Sequence, residues 1–327
     1  MNPLPDPRAA AAHRWALAAL RLPDARMTPA SADASFRRYF RIHGDGRSWV
    51  LMDAPPERED CRPFIHVTGL MQAAGVHVPQ IHAQDLAQGF LLLSDLGRQT
   101  WLQALTPAHA DEWFGQALEA LLRWQLASRP GVLPAYDRAL LQRELALFPD
   151  WFVARHLQRS FSRAQQAAWS AVCEHLVTSA LAQPQVFVHR DFMPRNLMVS
   201  EPNPGVLDYQ DAVHGPISYD VISLFKDAFL SWPEDRVQGW LRDYAARARR
   251  AGLPVPETGE FLRAADWMGL QRHLKVLGIF ARIRYRDGKP HYLDDAPRFI
   301  GYVRHTAARY PELAALTALF DELGLPE

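Results

Sequence analysis

The sequence predicts an α+β chain in two lobes, a small β-rich part over residues 1–96 and a larger, mainly helical part over 97–327. Three observations predict it. A length of 327 residues exceeds what one simple core usually fills. The first hundred or so residues alternate short strand-like and helical segments. Beyond Ser94-Asp95-Leu96-Gly97 the apolar spacing turns helical, except for one strand-loop-strand stretch at 186–208.

The elements follow in order. The Ala-rich N-terminus, broken by His13 and Arg14, reads as an amphipathic helix and lacks the cleavage pattern of a signal peptide. Ala25–Pro29, Phe36–His43 and Ser48–Met52 read as strands, with Gly44-Asp45-Gly46 as a hairpin turn between the last two. Arg62–Ala74 has helical spacing and stops before Gly75. Val78–His82 and Gly89–Leu93 read as two more strands. From about 107 to 183 the chain is mostly helical, with an apolar stripe through Trp113, Leu118, Leu121, Leu122 and Leu126. Helices resume from about 217.

Composition narrows the class. Lys+Arg and Asp+Glu balance at 36 each, so net charge supports neither nucleic-acid nor polyanion binding. No apolar run approaches the ~18 residues of a membrane span. Cys61 and Cys173 are far apart and outside metal-like spacing, which suits a reducing cytosol. A cytoplasmic monomer acting on a small molecule is expected. The only lysines are Lys226, Lys275 and Lys289, so arginine carries nearly all the positive charge.

Chemistry concentrates in Val186-Phe-Val-His189-Arg-Asp191-Phe-Met-Pro-Arg-Asn196-Leu-Met-Val199, followed by Leu207-Asp208-Tyr209. Asp191 and Asn196 share one tight loop, and Asp208 returns beside it after a short hairpin. Phosphoryl transfer needs this set: one Asp facing the acceptor hydroxyl, and an Asn and a second Asp holding Mg²⁺ against nucleotide phosphates. A hard cation of this kind takes one or two carboxylates plus phosphate oxygens rather than a closed protein cage.

These residues, with Gly215-Pro216-Ile-Ser-Tyr-Asp220, resemble the aminoglycoside phosphotransferase/choline kinase branch of the protein-kinase-like bilobal fold. Within it, Thr28-Pro-Ala-Ser-Ala-Asp33-Ala-Ser-Phe-Arg37-Arg38-Tyr-Phe-Arg41 and Val50-Leu-Met-Asp53-Ala-Pro-Pro look most like bacterial anomeric sugar kinases. Those enzymes phosphorylate the C1 hydroxyl of N-acetylmuramate and N-acetylglucosamine in peptidoglycan recycling. The resemblance implies ATP and Mg²⁺ as cofactors and an amino sugar as substrate. It makes Asp191 the catalytic residue, Asn196 and Asp208 the metal ligands, and His189 and Asp220 structural braces of the loop.

The nucleotide is expected against the loop at Ser31, Asp33, Ala34 and Ser35, where small side chains let backbone N–H groups approach phosphate, and against the hinge at Ser94 and Leu96. Met52 stands where many kinases carry a phosphate-contacting Lys. Arg37, Arg38 or Arg41 is the expected replacement, since the guanidinium fork suits phosphate. On the acceptor side, Asp211 and the segment with Arg143, Glu144 and Trp151 are the candidates, because sugars stack on Trp and hydrogen-bond to planar polar groups. Arg272-His273-Leu-Lys275 reads as a solvated helix face. Two other readings stay open: a kinase of aminoglycosides or other small alcohols, and a nucleotide-binding pseudokinase, suggested by the missing Lys.

Overall fold

The structure, a computed structural model, describes residues 6–32 and 36–325. In chain order the elements are α1 (Pro7–Leu20), β1 (Arg26–Ala32), β2 (Arg38–Gly44), β3 (Arg47–Asp53), α2 (Arg62–Ala73), β4 (Ile81–Asp85), β5 (Phe90–Ser94), α3 (Trp101–Ala104), α4 (Ala110–Leu126) and α5 (Arg138–Leu147). A π-helical stretch, Phe148–His156, continues α5. Then come α6 (Arg163–Ala182), β6 (Gln185–Val188), β7 (Leu197–Met198), β8 (Gly205–Val206), β9 (Val213–Pro216), α7 (Tyr219–Phe225), α8 (Glu234–Arg250), α9 (Thr258–Asp287), α10 (Ala296–Ala307) and α11 (Ala314–Glu322).

Two compact units result. The described residues up to Ala104 group with Asn196–Asp211, and Leu105–Arg195 groups with the described residues from Ala212 onward. A single cut at 96/97 therefore misses the 196–211 hairpin. Its backbone and side chains are tied to the β-rich unit: Val206 N–H donates to His77 O at 2.8 Å, Val199 N–H to Gln99 O at 2.9 Å, and Tyr209 OH meets Thr68 Oγ1 of α2 at 2.8 Å.

The β-rich unit is built on an antiparallel sheet in the order β1-β2-β3-β5-β4. Asp45 and Gly46, both at positive φ (50° and 70°), close the β2–β3 hairpin, the backbone sense that matches strand twist. Asp6 caps α1 by accepting the Arg8 and Ala9 N–H groups. The helix lays Ala12 and Ala16 on a core of Ile42, Trp49, Leu51, Phe90 and Leu92. Burying each Leu, Ile or Phe there contributes about 1.5–3 kcal/mol. Gly89 (φ +73) is required where β5 begins, because a Cβ there would stand 1.8 Å from the Ala54 carbonyl oxygen.

Strand ends differ from the sequence reading where proline intervenes. The fourth strand starts at Ile81 rather than Val78, since Pro79 has no N–H for a ladder. β1 runs on to Ala32 through an irregularity between Pro29 and Ser31.

The helical unit is organised by α9, thirty residues long, packed by α5, the π-helical stretch, α6, α7 and α10. Arg272, His273 and Lys275 are buried within it, not on a solvated face. The Lys275 ammonium is satisfied there by Glu144 and the Tyr219 hydroxyl. Gly278 lets α9 approach the end of α5, where a Cβ would fall 2.3 Å from the Leu147 carbonyl carbon. β6 pairs antiparallel with β9, Val188 opposite Val213, and leads directly into the His189–Asn196 loop. No helix among the described residues is long and apolar enough to cross a membrane.

Candidate active site

Strand β6 is apolar because it is buried on both sides, with Val186, Phe187 and Val188 nearly inaccessible. It ends at His189, also buried, whose ring meets Phe192 edge-on at 5.7 Å. Asp220, in the first turn of α7, accepts the His189 N–H on Oδ2 at 2.7 Å and the Arg190 N–H on Oδ1 at 3.0 Å. Burial pushes the Asp220 carboxyl up to about 7, against the opposing pull of those two N–H donors. One carboxylate thus fixes two successive peptides immediately before Asp191. The half-buried Asp191 donates its own N–H to His189 Nδ1 at 3.2 Å.

The loop is strained where it turns. Arg190 has φ 77°, a left-handed conformation that costs a non-glycine residue on the order of 1–3 kcal/mol. Its side chain supplies the compensation. Nη2 reaches Oε1 of Glu144 at 2.5 Å, and Lys275 Nζ approaches the same oxygen at 2.8 Å. Tyr136 OH and Gln271 Nε2 donate to Oε2. Burial would raise the Glu144 carboxyl, but the charges of Lys275 and Arg190 outweigh it and hold it at about 2. Glu144 is therefore an internal anchor of the loop arginine, its oxygens engaged by Arg190, Lys275, Tyr136 and Gln271.

The metal-ligand candidates sit on the β7–β8 hairpin of the other unit. Asn196 Nδ2 is 3.4 Å from Asp208 Oδ2, Gln210 Nε2 donates to Asp208 Oδ1 at 3.0 Å, and Leu207 N–H closes onto Asn196 O at 2.9 Å. Asp208 has φ 63°, tolerated better by Asp than by most residues. The Asn–Asp pair presents hard oxygen donors of the kind Mg²⁺ accepts. No group of three or more His, Cys, Asp and Glu side chains is placed to hold a metal ion among the described residues, and a cation completed by phosphate oxygens needs none.

Of the nucleotide candidates, Asp33, Ala34 and Ser35 lie outside the described residues; Ser31 continues β1 opposite Tyr39. Arg38 pairs with Asp53 and Asp6, and Arg8 Nη2 joins Asp53 at 2.7 Å. Arg41 donates through Nε to Asp95 at 2.6 Å and through Nη2 to Gly97 O at 2.7 Å. Asp95 also accepts from Ser48, so its carboxyl is lowered despite its burial. Both arginines are thus engaged by carboxylates, and Met52 is packed into the core. Ser94 is held by Gln80, and Leu96 is half-buried beside it. On the acceptor side, Arg143 and Asp211 are exposed, and Trp151 is half-buried on the π-helical stretch.

A carboxylate held rigidly on a braced loop and an Asn–Asp oxygen pair on the following hairpin are the parts that phosphoryl transfer uses, and the fold is the protein-kinase-like α+β arrangement. The class is that of the phosphotransferases. The chain belongs to the phosphotransferase enzyme family, whose profile matches residues 26–262. It is 62% identical over 303 residues to the N-acetylmuramate/N-acetylglucosamine kinase of Pseudomonas aeruginosa, covering 92% of this chain and 90% of that one. Among solved structures it is similar to ADP-bound aminoglycoside phosphotransferase APH(2'')-Ib (TM-score 0.60, 11% identity, 90% of this chain and 97% of that one). It is likewise similar to choline kinase LicA from Streptococcus pneumoniae (TM-score 0.62, 10% identity, 92% and 99%).

Proposed function

We propose that this protein is an ATP- and Mg²⁺-dependent kinase that phosphorylates the anomeric C1 hydroxyl of N-acetylmuramate and N-acetylglucosamine, acting as a cytoplasmic monomer in peptidoglycan recycling. The observation that carries it is 62% identity across nine-tenths of the chain to a kinase named for those two sugars, in a chain holding Asp191, Asn196 and Asp208 together in sequence.

The chemistry of these three side chains supports a direct transfer. Asp191 orients the C1 hydroxyl and takes its proton as the C1 oxygen bonds to the γ-phosphorus and the bond to the β-phosphate oxygen breaks, leaving ADP and a sugar 1-phosphate. An anomeric hydroxyl is more acidic than an ordinary alcohol, so a carboxylate of ordinary basicity suffices. Asn196 and Asp208 are the residues that would hold Mg²⁺, which neutralises charge on the phosphate oxygens. The Ser94–Leu96 hinge, where the Leu96 N–H and C=O make no backbone hydrogen bond among the described residues, supports adenine recognition through the main chain. Catalysis is then positioning and electrostatics.

The test is product chemistry. Incubation with ATP, Mg²⁺ and each sugar, followed by phosphorus–proton NMR, is expected to place phosphate on C1, giving an acid-labile product, and reduced sugar alcohols should not react. Phosphate on C6, or activity confined to aminoglycosides or choline, overturns the anomeric assignment.

A further inference from the structure

Arg195 lies in the same loop, four residues after Asp191 and one before Asn196. Its guanidinium is half-buried and stacked over Phe229, with Cζ 5.1 Å from the ring centroid. Among the described residues no carboxylate pairs with it. Four other cations of the helical unit are already committed to carboxylates: Arg190 and Lys275 to Glu144, Lys226 to Glu234, Arg298 to Asp295. A guanidinium whose face is held by an aromatic ring keeps its N–H edge available for bidentate pairing, and a ring stack alone does not neutralise its charge.

We infer that Arg195 is the specificity residue for the carboxylate-bearing acceptor, pairing with the lactyl carboxylate that N-acetylmuramate carries and N-acetylglucosamine lacks. The inference rests on the amino-sugar reading above. Phe229 fixes the plane of the fork from the helical unit. The loop sets it four residues from the group that meets the reacting hydroxyl. An arginine serving the transferring phosphoryl group instead would lower turnover on every acceptor alike.

The experiment measures kcat and KM for N-acetylmuramate, its methyl ester and N-acetylglucosamine with the wild type, Arg195→Ala and Arg195→Lys. Wild type should prefer the acid to the ester. In Arg195→Ala the acid-to-ester ratio of kcat/KM should fall by about 10- to 100-fold, mainly through KM, the loss expected for charge-assisted hydrogen bonds. Arg195→Lys should retain part of the preference. An unchanged ratio in Arg195→Ala, or an equal loss of kcat on all three acceptors, overturns the assignment. If the alanine variant does not fold, a wild type indifferent to esterification overturns it alone. A wild type inactive on all three sugars overturns the amino-sugar reading and this inference with it.

Discussion

Lys275 Nζ lies 2.8 Å from Oε1 of Glu144, the oxygen that also accepts from Arg190. Two cations, buried Lys275 and half-buried Arg190, therefore depend on one carboxylate, and the second of them is the residue preceding Asp191. Breaking a buried pair by removing one partner strands the charge left behind, which typically costs about 3–5 kcal/mol. Glu144→Gln should lose stability of that order. The pH dependence has a definite sign. Because Glu144 is held at about 2, below the ordinary carboxylate range, its contribution is present above about pH 4.5 and is lost as pH falls toward 2. Chemical unfolding across pH 2–7 should show the gap between wild type and Glu144→Gln narrowing over that acid window. A gap independent of pH would mean that Glu144 is not ionised in the folded protein.

Asp191→Asn keeps the shape of the loop, since the backbone bonds to Asp220 and His189 do not involve the Asp191 carboxylate. It removes the proton acceptor. Turnover should fall by about 10²–10⁴-fold, the usual span for a general base, while ADP affinity measured by calorimetry changes little. Near-normal turnover would remove Asp191 from the chemistry.

The loop motif was legible because its members are contiguous and its chemistry is specific. The succession of strands and helices along the N-terminal part was legible for a similar reason: period-two and helical spacing, with glycine and proline as punctuation, are local signals. Pro79 shows the margin, moving a strand start by three residues. What sequence could not supply was pairing at a distance. Glu144 and Arg190 are 46 residues apart, and a Glu beside Phe148 and Trp151 reads equally well as a sugar contact. The burial of Arg272, His273 and Lys275 was missed because a polar cluster on a helix normally faces water. The available signal was Lys275 itself, one of three lysines in an arginine-rich chain.

Asn196 and Asp208 differ in what their loss should do. Asp208 holds φ 63°, which Asn adopts as readily as Asp, so Asp208→Asn removes charge without adding backbone strain. It should abolish the effect of Mg²⁺ on the ADP-induced shift in melting temperature and lower turnover by at least about 10²-fold. Asn196→Ala removes a neutral donor only and should raise the Mg²⁺ concentration needed for half-maximal activity while leaving some turnover at saturation. If both variants titrate with Mg²⁺ like the wild type, the cation is held elsewhere.

Arg38 and Arg41 separate a structural from a nucleotide-binding role. Asp53 is fully buried between Arg38 and Arg8, so Arg38→Ala leaves a buried carboxylate half-neutralised, and melting should fall clearly. Arg41 joins β2 to the hinge through Asp95 and the Gly97 carbonyl; Arg41→Ala frees Asp95, half-buried and still bonded only to Ser48 and the Gly97 N–H. Because both guanidiniums are already paired, each variant should lose stability more than ATP affinity, with KM for ATP within about 3-fold of wild type for Arg38→Ala, less than one lost charge-assisted hydrogen bond would cost. A larger rise in KM for ATP, with unchanged melting, would show that the paired arginine also serves phosphate and stands in for the lysine that Met52 replaces.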